Sequence, residues 1–535
     1  MHMDFSVLKA GKRQPIFARN GVVATSQPLA TQAGLHILRM GGNAVDAAIA
    51  TAAALAVVEP NTNSIGGDAF AIIWDGEKLH GLNGSGRAPQ SLSMEAVRER
   101  GHDTIPDHGW LAVTIPGAPA LWRDLHERFG SLPFEQLLEP AITYAEHGYP
   151  PSPVSLGGWR RRIEFHPTLQ GPEFAGLMDV YAPGGKAPEL GEMWSSADKA
   201  NTLRRIAETK AADFYTGEIA RKIAEFAQAT DGFITEEDMA SHTSTWVEPI
   251  STNYRGYDVW ELPPNGQGIA ALMALNILEG YDLGSMARDS AENFHLQIEA
   301  MKLGYEDAQR YVGDPEHVHV PVEGMLSKDY ATERRALIGE NALDPAPGVP
   351  PGSNTVYFCA VDGDGMMVSF IQSGFANFGS HVVVPGLGFP FQNRGKGFSM
   401  DPAHPNALAG GKRPYHTIIP AFLTKDGEPI GPFGVMGGHM QPQGHVQMVV
   451  NTVDFGMDPQ TALDYPRWHW QEGRSVQVEP AVGQEVLEEL RRRGHEVEVV
   501  DALGMFGRGQ IIWRLPSGAY IAGSEPRADG QAAGY

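Results

Sequence analysis

Cysteine is nearly missing from this chain. Its 535 residues include one, Cys359, which excludes an intramolecular disulfide framework and any multi-cysteine metal site. Positive charge is also in short supply. Against 64 acidic residues stand 41 lysines and arginines, a formal net charge of -23, which argues against nonspecific binding to nucleic acid or an anionic membrane. Long apolar runs are lacking too: the richest, Ala44–Val58, contains Asp46 and is shorter than the roughly 20 residues a bilayer requires. The N-terminal Met1-His2-Met3-Asp4-Phe5 shows no basic region leading into an apolar core. A cytoplasmic location is therefore expected, with a trimmed exported form as the alternative. Neither internal repeats nor low-complexity tracts occur. With 42% hydrophobic and 20% charged residues, the chain reads as globular and large enough for a sizeable core.

Proline is present, and it is concentrated. Residues 344–351 carry four prolines and one glycine, which oppose helix and ladder pairing and predict an exposed, extended linker. Gly352-Ser353-Asn354-Thr355 follows, and then an almost unbroken apolar, β-prone run over 356–361 that predicts a strand buried on both faces. Thr355 stands at the head of that strand. Cys359, inside the run, reads as a buried inert thiol.

Elsewhere, helices and strands alternate. A strand is predicted over 21–25 and a helix over 30–39 that stops at Gly41-Gly42. Asn43 can cap a second helix, whose Ala44, Ala47, Ala48, Thr51, Ala52 and Leu55 form a small-residue stripe allowing close packing. Ser64-Ile65-Gly66-Gly67-Asp68 turns into a strand over 70–74, and helices are expected over 118–129 and 137–146. Mostly helical sequence continues to about residue 221, where Arg160-Arg161-Arg162 reads as a solvated helix face. A strand ending at Pro263-Pro264 precedes a helix over 269–278, and another helix is expected over 295–310. Gly437-Gly438 precedes a helix from about 443 to 453.

Four stretches together resemble the γ-glutamyltransferase family of N-terminal-nucleophile hydrolases, across nearly the whole chain. They are Gly41-Gly42-Asn43-Ala44-Val45-Asp46, Asn354-Thr355 with its β run and Asp362-Gly363-Asp364-Gly365, Lys412-Arg413-Pro414, and Gly437-Gly438. The resemblance implies an α/β fold, a four-layer α-β-β-α sandwich, and a precursor that cuts itself between Asn354 and Thr355. Portions 1–354 and 355–535 would then be the large and small fragments of one interleaved fold. They would form a heterodimer of the chain's own pieces, with further oligomerisation left open. No cofactor or metal is implied, and His439 and His445 lack a third ligand for zinc.

The chemistry implied is amide cleavage. A threonine hydroxyl is a weak nucleophile near neutral pH, and a freed N-terminal amine, with a reference pKa of about 7.7 to 8.0, supplies its base. Ser373 aligns with the family threonine that hydrogen-bonds the nucleophile, and Gly437-Gly438 with its oxyanion hole.

Three departures bear on the substrate. Ser85 stands where relatives carry a carboxylate-binding arginine; Arg87, two residues on, is either its replacement or a plain surface arginine. Asn393-Arg394-Gly395-Lys396-Gly397 replaces an acidic run that binds the donor's amine, and Phe375 replaces an asparagine. His416 and Thr417 replace paired serines. An ammonium group beside Arg394 and Lys396 would be repelled, so Arg87, Arg394, Lys396, His416 and Thr417 are expected to hold a carboxylate without a neighbouring amine. The expected partner is a small-molecule amide bearing a carboxylate. Glutathione-like γ-glutamyl amides are the family default; an oxamate-type monoamide or a glutaryl-type acylase substrate fits these residues better. A non-catalytic protein that binds a small anion is the alternative from another class, and intact Thr355, Ser373 and Gly437-Gly438 count against it.

Overall fold

The computed structural model describes residues 13–345 and 354–535. Most of the expected proline-rich linker, at 346–351, therefore lies outside the described residues. Two seven-stranded antiparallel sheets form the centre. One runs in the order Gln531–Gly534, Gly21–Thr25, Asn354–Asp362, Met367–Phe375, Asp68–Trp74, Leu79–Gly84, Thr245–Val247. The other runs Ile16–Ala18, Tyr520–Ser524, Arg508–Arg514, Glu428–Met436, Ala421–Lys425, Tyr257–Glu261, Ile250–Tyr254. Each sheet thus contains strands from before and after residue 354, so the processing site expected there lies inside one fold.

The strand Asn354–Asp362 explains the layering. Side chains alternate across a strand, so an unbroken apolar run supplies both faces. Tyr357, Cys359 and Val361 point between the sheets, meeting Phe422, Met436 and Ile512 of the second one. Val356, Phe358 and Ala360 point outward, onto the helices Ala44–Val58 and Pro28–Arg39. The second sheet's outer face is covered by Gly268–Leu278 and Met440–Val449, with Ala291–Tyr311 packed on Gly268–Leu278. The result is the expected four-layer α-β-β-α sandwich. No helix among the described residues is long and apolar enough to cross a membrane.

Ala44–Val58 is buried along its whole length. Asn43 and Asp46 cap it reciprocally, at 2.9 and 3.1 Å, as a capping box. Its N-terminal Ala44 N–H also donates to Asp362, 2.9 Å away, tying the helix to the hairpin that follows the Thr355 strand. The two N-terminal helices approach so closely that a Cβ on Gly34 would lie 2.3 Å from Thr51 Oγ1. Gly34→Val is therefore expected to cost about 1–3 kcal/mol, read as a lowered melting temperature, whereas Gly324→Ala, at an exposed position with open space around it, should cost far less.

The chain entering the undescribed segment is held firmly. Lys302 Nζ donates to the Leu343 carbonyl and Glu299 accepts from the Leu343 N–H, both at 2.8 Å, and the two fully buried side chains pair with each other.

Candidate active site

Thr355 enters the site through an irregularity in the ladder. Asn354 pairs with Phe375 and Val356 with Gln372, so the register shifts between them. Thr355 is buried at this shift, its Oγ1 3.0 Å from Ser373 Oγ. Ser373 Oγ also accepts from the Phe375 N–H at 2.9 Å and from Arg394 Nη2 at 3.2 Å. Phe375 itself has φ +74°, a conformation uncommon for a bulky residue.

Arg394 opens a short 3-10 turn, Arg394–Gly397, and is fully buried. Its Nη1 donates to Thr417 Oγ1 at 2.6 Å, its guanidinium lies 4.4 Å from the Phe375 ring centroid, and its Nε has no acceptor among the described residues. Burial pushes its pKa down to about 9, and the nearby Asp68 opposes that shift, so it remains a cation at neutral pH.

Asp68 supplies the counter-charge. It accepts from the Gly86 N–H at 3.0 Å, from Gln392 Nε2 at 2.8 Å and from His416 Nε2 at 3.0 Å. Burial raises its pKa to about 7 against the pull of Arg394 and these donors. His416 Nδ1 accepts from the Ile418 N–H at 3.3 Å, which assigns the ring hydrogen to Nε2 and the bond's direction to Asp68. Burial holds the ring neutral.

Gln267 joins this set to the paired glycines, donating to the Thr417 carbonyl at 2.7 Å and to the Gly438 carbonyl at 2.8 Å. Gly437 and Gly438 have φ of +133° and +63°, and the helix Met440–Val449 follows directly. Neither glycine N–H has an acceptor among the described residues, so both donors are available to a ligand.

A continuous network thus brings together Thr355, Ser373, Arg394, Thr417 and Gly438. His416 stands behind it, with both ring nitrogens engaged, so it positions Asp68 and offers no donor to a substrate. Two other candidate ligands pair elsewhere in this structure. Arg87 grips exposed Glu316 at 2.7 and 2.8 Å. Between Ser85 and Arg87, Gly86 packs so tightly on Ile115 that a Cβ there would be 1.6 Å from its carbonyl oxygen; Ser85 is buried and Arg87 half-buried. Ser85 joins a buried network with Asn83, at 2.7 Å, while the nearly buried Arg413 reaches the Ser85 carbonyl at 3.2 Å. Lys396 likewise turns away, to Asp107 at 2.8 Å. The thiol of Cys359 is buried and pushed up in pKa by burial, and His445 pairs with Glu261 at 2.6 Å. Asn354 heads the strand.

Sequence reasoning did not single out Asp68, Gln267 or Gln392 as site residues. The available signal was an acid closing the Gly66-Gly67 turn into an apolar strand, and an amide between Gly266 and Gly268.

Comparison with known proteins matches the gamma-glutamyltranspeptidase family to residues 30–535. The glutathione hydrolase-like YwrD proenzyme of Bacillus subtilis (strain 168) is 37% identical over 96% of this chain and 98% of its own length. The oxamate amidohydrolase proenzyme of Klebsiella pneumoniae is 33% identical, with coverage of 96% and 98%. Among solved structures, a cephalosporin acylase from Bacillus halodurans is 54% identical, superposes with a TM-score of 0.96 and covers 100% of this chain and 99% of that one.

Proposed function

The chain belongs to the gamma-glutamyltranspeptidase family of self-processing amidohydrolases, and on that premise we propose that it hydrolyses short dicarboxylic monoamides through an acyl-enzyme on Thr355. Cleavage between Asn354 and Thr355 frees the α-amine of Thr355. That amine takes the hydroxyl proton as Oγ1 attacks the substrate carbonyl, and the resulting oxyanion receives the N–H groups of Gly437 and Gly438. Collapse of the tetrahedral intermediate returns the proton to the leaving amine, and water then cleaves the ester. Hydrolysis is favoured over transfer to an amine acceptor.

Arg394 carries the substrate class. It is a buried cation beside the nucleophile's neighbour, with an unpartnered Nε, and Phe375 stacks on it where an amine would need acceptors. A carboxylate on the acyl group satisfies that cation; an α-ammonium does not. The oxamate amidohydrolase and the cephalosporin acylase support this reading. The glutathione hydrolase-like proenzyme makes γ-glutamyl amides the substrates to compare.

The test is a minimal pair. Glutaryl-p-nitroanilide and γ-glutamyl-p-nitroanilide differ only in the α-amine, and kcat/KM is expected to favour the glutaryl compound by on the order of 100-fold. Equal rates, or a preference for the γ-glutamyl compound, would sink the assignment.

A further inference from the structure

The guanidinium that awaits a carboxylate is also wired to the nucleophile. Arg394 Nη2 donates to Ser373 Oγ, and Ser373 Oγ lies within hydrogen-bond reach of Thr355 Oγ1. A second donor, the Phe375 N–H, meets the same Ser373 oxygen. Two donors thus meet one hydroxyl oxygen, and Thr355 Oγ1 lies 3.0 Å from it, where either hydroxyl can donate to the other. The positive charge thus sits two hydrogen bonds from the oxygen that must become an alkoxide, in a fully buried setting where such charges are weakly screened. Thr417 and Phe375 hold the fork in place, from its Nη1 and from one face.

We infer that Arg394 is a positioning residue for the nucleophile: acting through Ser373, it stabilises the developing Thr355 alkoxide, both in self-cleavage and in turnover. This rests on Thr355 as the nucleophile and adds to the role of Arg394 toward a substrate carboxylate. The two roles separate cleanly. A carboxylate ligand is idle in self-cleavage, where no substrate is present, and in hydrolysis of an uncharged acyl group. An electrostatic aid to Thr355 matters in both. Asp68 tempers the effect without cancelling it, since its own charge is shared among Gly86, Gln392 and His416.

The experiment uses full-length protein carrying Arg394→Gln, Arg394→Lys, Ser373→Ala, or Arg394→Gln with Ser373→Ala. Self-cleavage is followed by intact mass, and hydrolysis with butyryl-p-nitroanilide beside its glutaryl counterpart. Arg394→Gln is expected to slow self-cleavage, and to lower kcat on the neutral butyryl compound, by about 10- to 100-fold, with KM changed less than about twofold. Arg394→Lys keeps the charge and is expected to fall between wild type and the glutamine variant, a graded rescue that also serves should the glutamine variant fail to fold. In the Ser373→Ala background the Arg394→Gln effect should shrink to less than about threefold, because the connection is already cut. Wild-type self-cleavage and wild-type kcat on the butyryl compound in Arg394→Lys and Arg394→Gln, with loss confined to the glutaryl substrate, would overturn the inference and leave Arg394 as a carboxylate ligand alone. Losses from Arg394→Gln and Ser373→Ala that simply multiply would overturn it as well.

Discussion

Thr355→Ala is expected to leave the purified protein as one chain of 57.9 kDa, where the wild type separates into fragments covering 1–354 and 355–535. The reason is chemical. Self-cleavage needs the hydroxyl to attack the carbonyl of Asn354, and turnover needs both that hydroxyl and the amine it uncovers. Alanine keeps the backbone and removes the attacking atom. Amide hydrolysis should fall by on the order of 10⁴-fold or more, as it does when an enzyme loses a covalent nucleophile. Thr355→Ser is the matched comparison, since it keeps the hydroxyl: it should cut itself and turn over, only more slowly. Intact mass and a p-nitroanilide assay on the three proteins check both halves of the expectation. A Thr355→Ala protein that still separates at this position would place the attacking group elsewhere.

The second large effect is expected at Gly438. Its φ of +63° is a conformation a side chain adopts at a cost of about 1–2 kcal/mol, more for a β-branched one. Relief of that strain requires the backbone to rotate, which breaks the Gln267 bond to its carbonyl. Gly438→Val should therefore swing the peptide and take the Gly437 and Gly438 N–H groups off the oxyanion. Loss of one such donor costs on the order of 10² to 10³ in kcat. The expected signature is a fall in kcat with KM little changed and self-cleavage slowed in parallel, measured on protein whose near-ultraviolet circular dichroism matches wild type. A kcat within about threefold of wild type would mean these glycines only turn the chain.

Much of the scaffold was legible because local composition speaks for it. The run 356–361 announces a two-sided strand, Asn43 announces a helix start, and the small-residue stripe of Ala44–Val58 announces close packing; each forms as expected. The four layers were legible only through family resemblance, because nothing local says which strands pair across the 354 boundary. Within the site, the same basic turn shows where local reading ends. Arg394 and Lys396 are two residues apart and equal in charge, yet one is buried against Ser373 and the other faces Asp107. Arg87 lies two residues from Ser85, yet it pairs with exposed Glu316 while Ser85 is buried against Asn83. Asp68 and Gln267 act through partners far along the chain, His416 and Gly438, and such pairings have no local signal. The alternative of a non-catalytic anion-binding protein gives way to an amidohydrolase once the family is established.

Rapid denaturing quench of the enzyme with glutaryl-p-nitroanilide, followed by intact mass of each fragment, tests the central claim most directly. The account predicts that the fragment beginning at Thr355 gains the mass of one glutaryl group, mapped by peptide sequencing to that first residue. A glutaryl group on any other residue, or steady turnover by a chain still joined between Asn354 and Thr355, would contradict it.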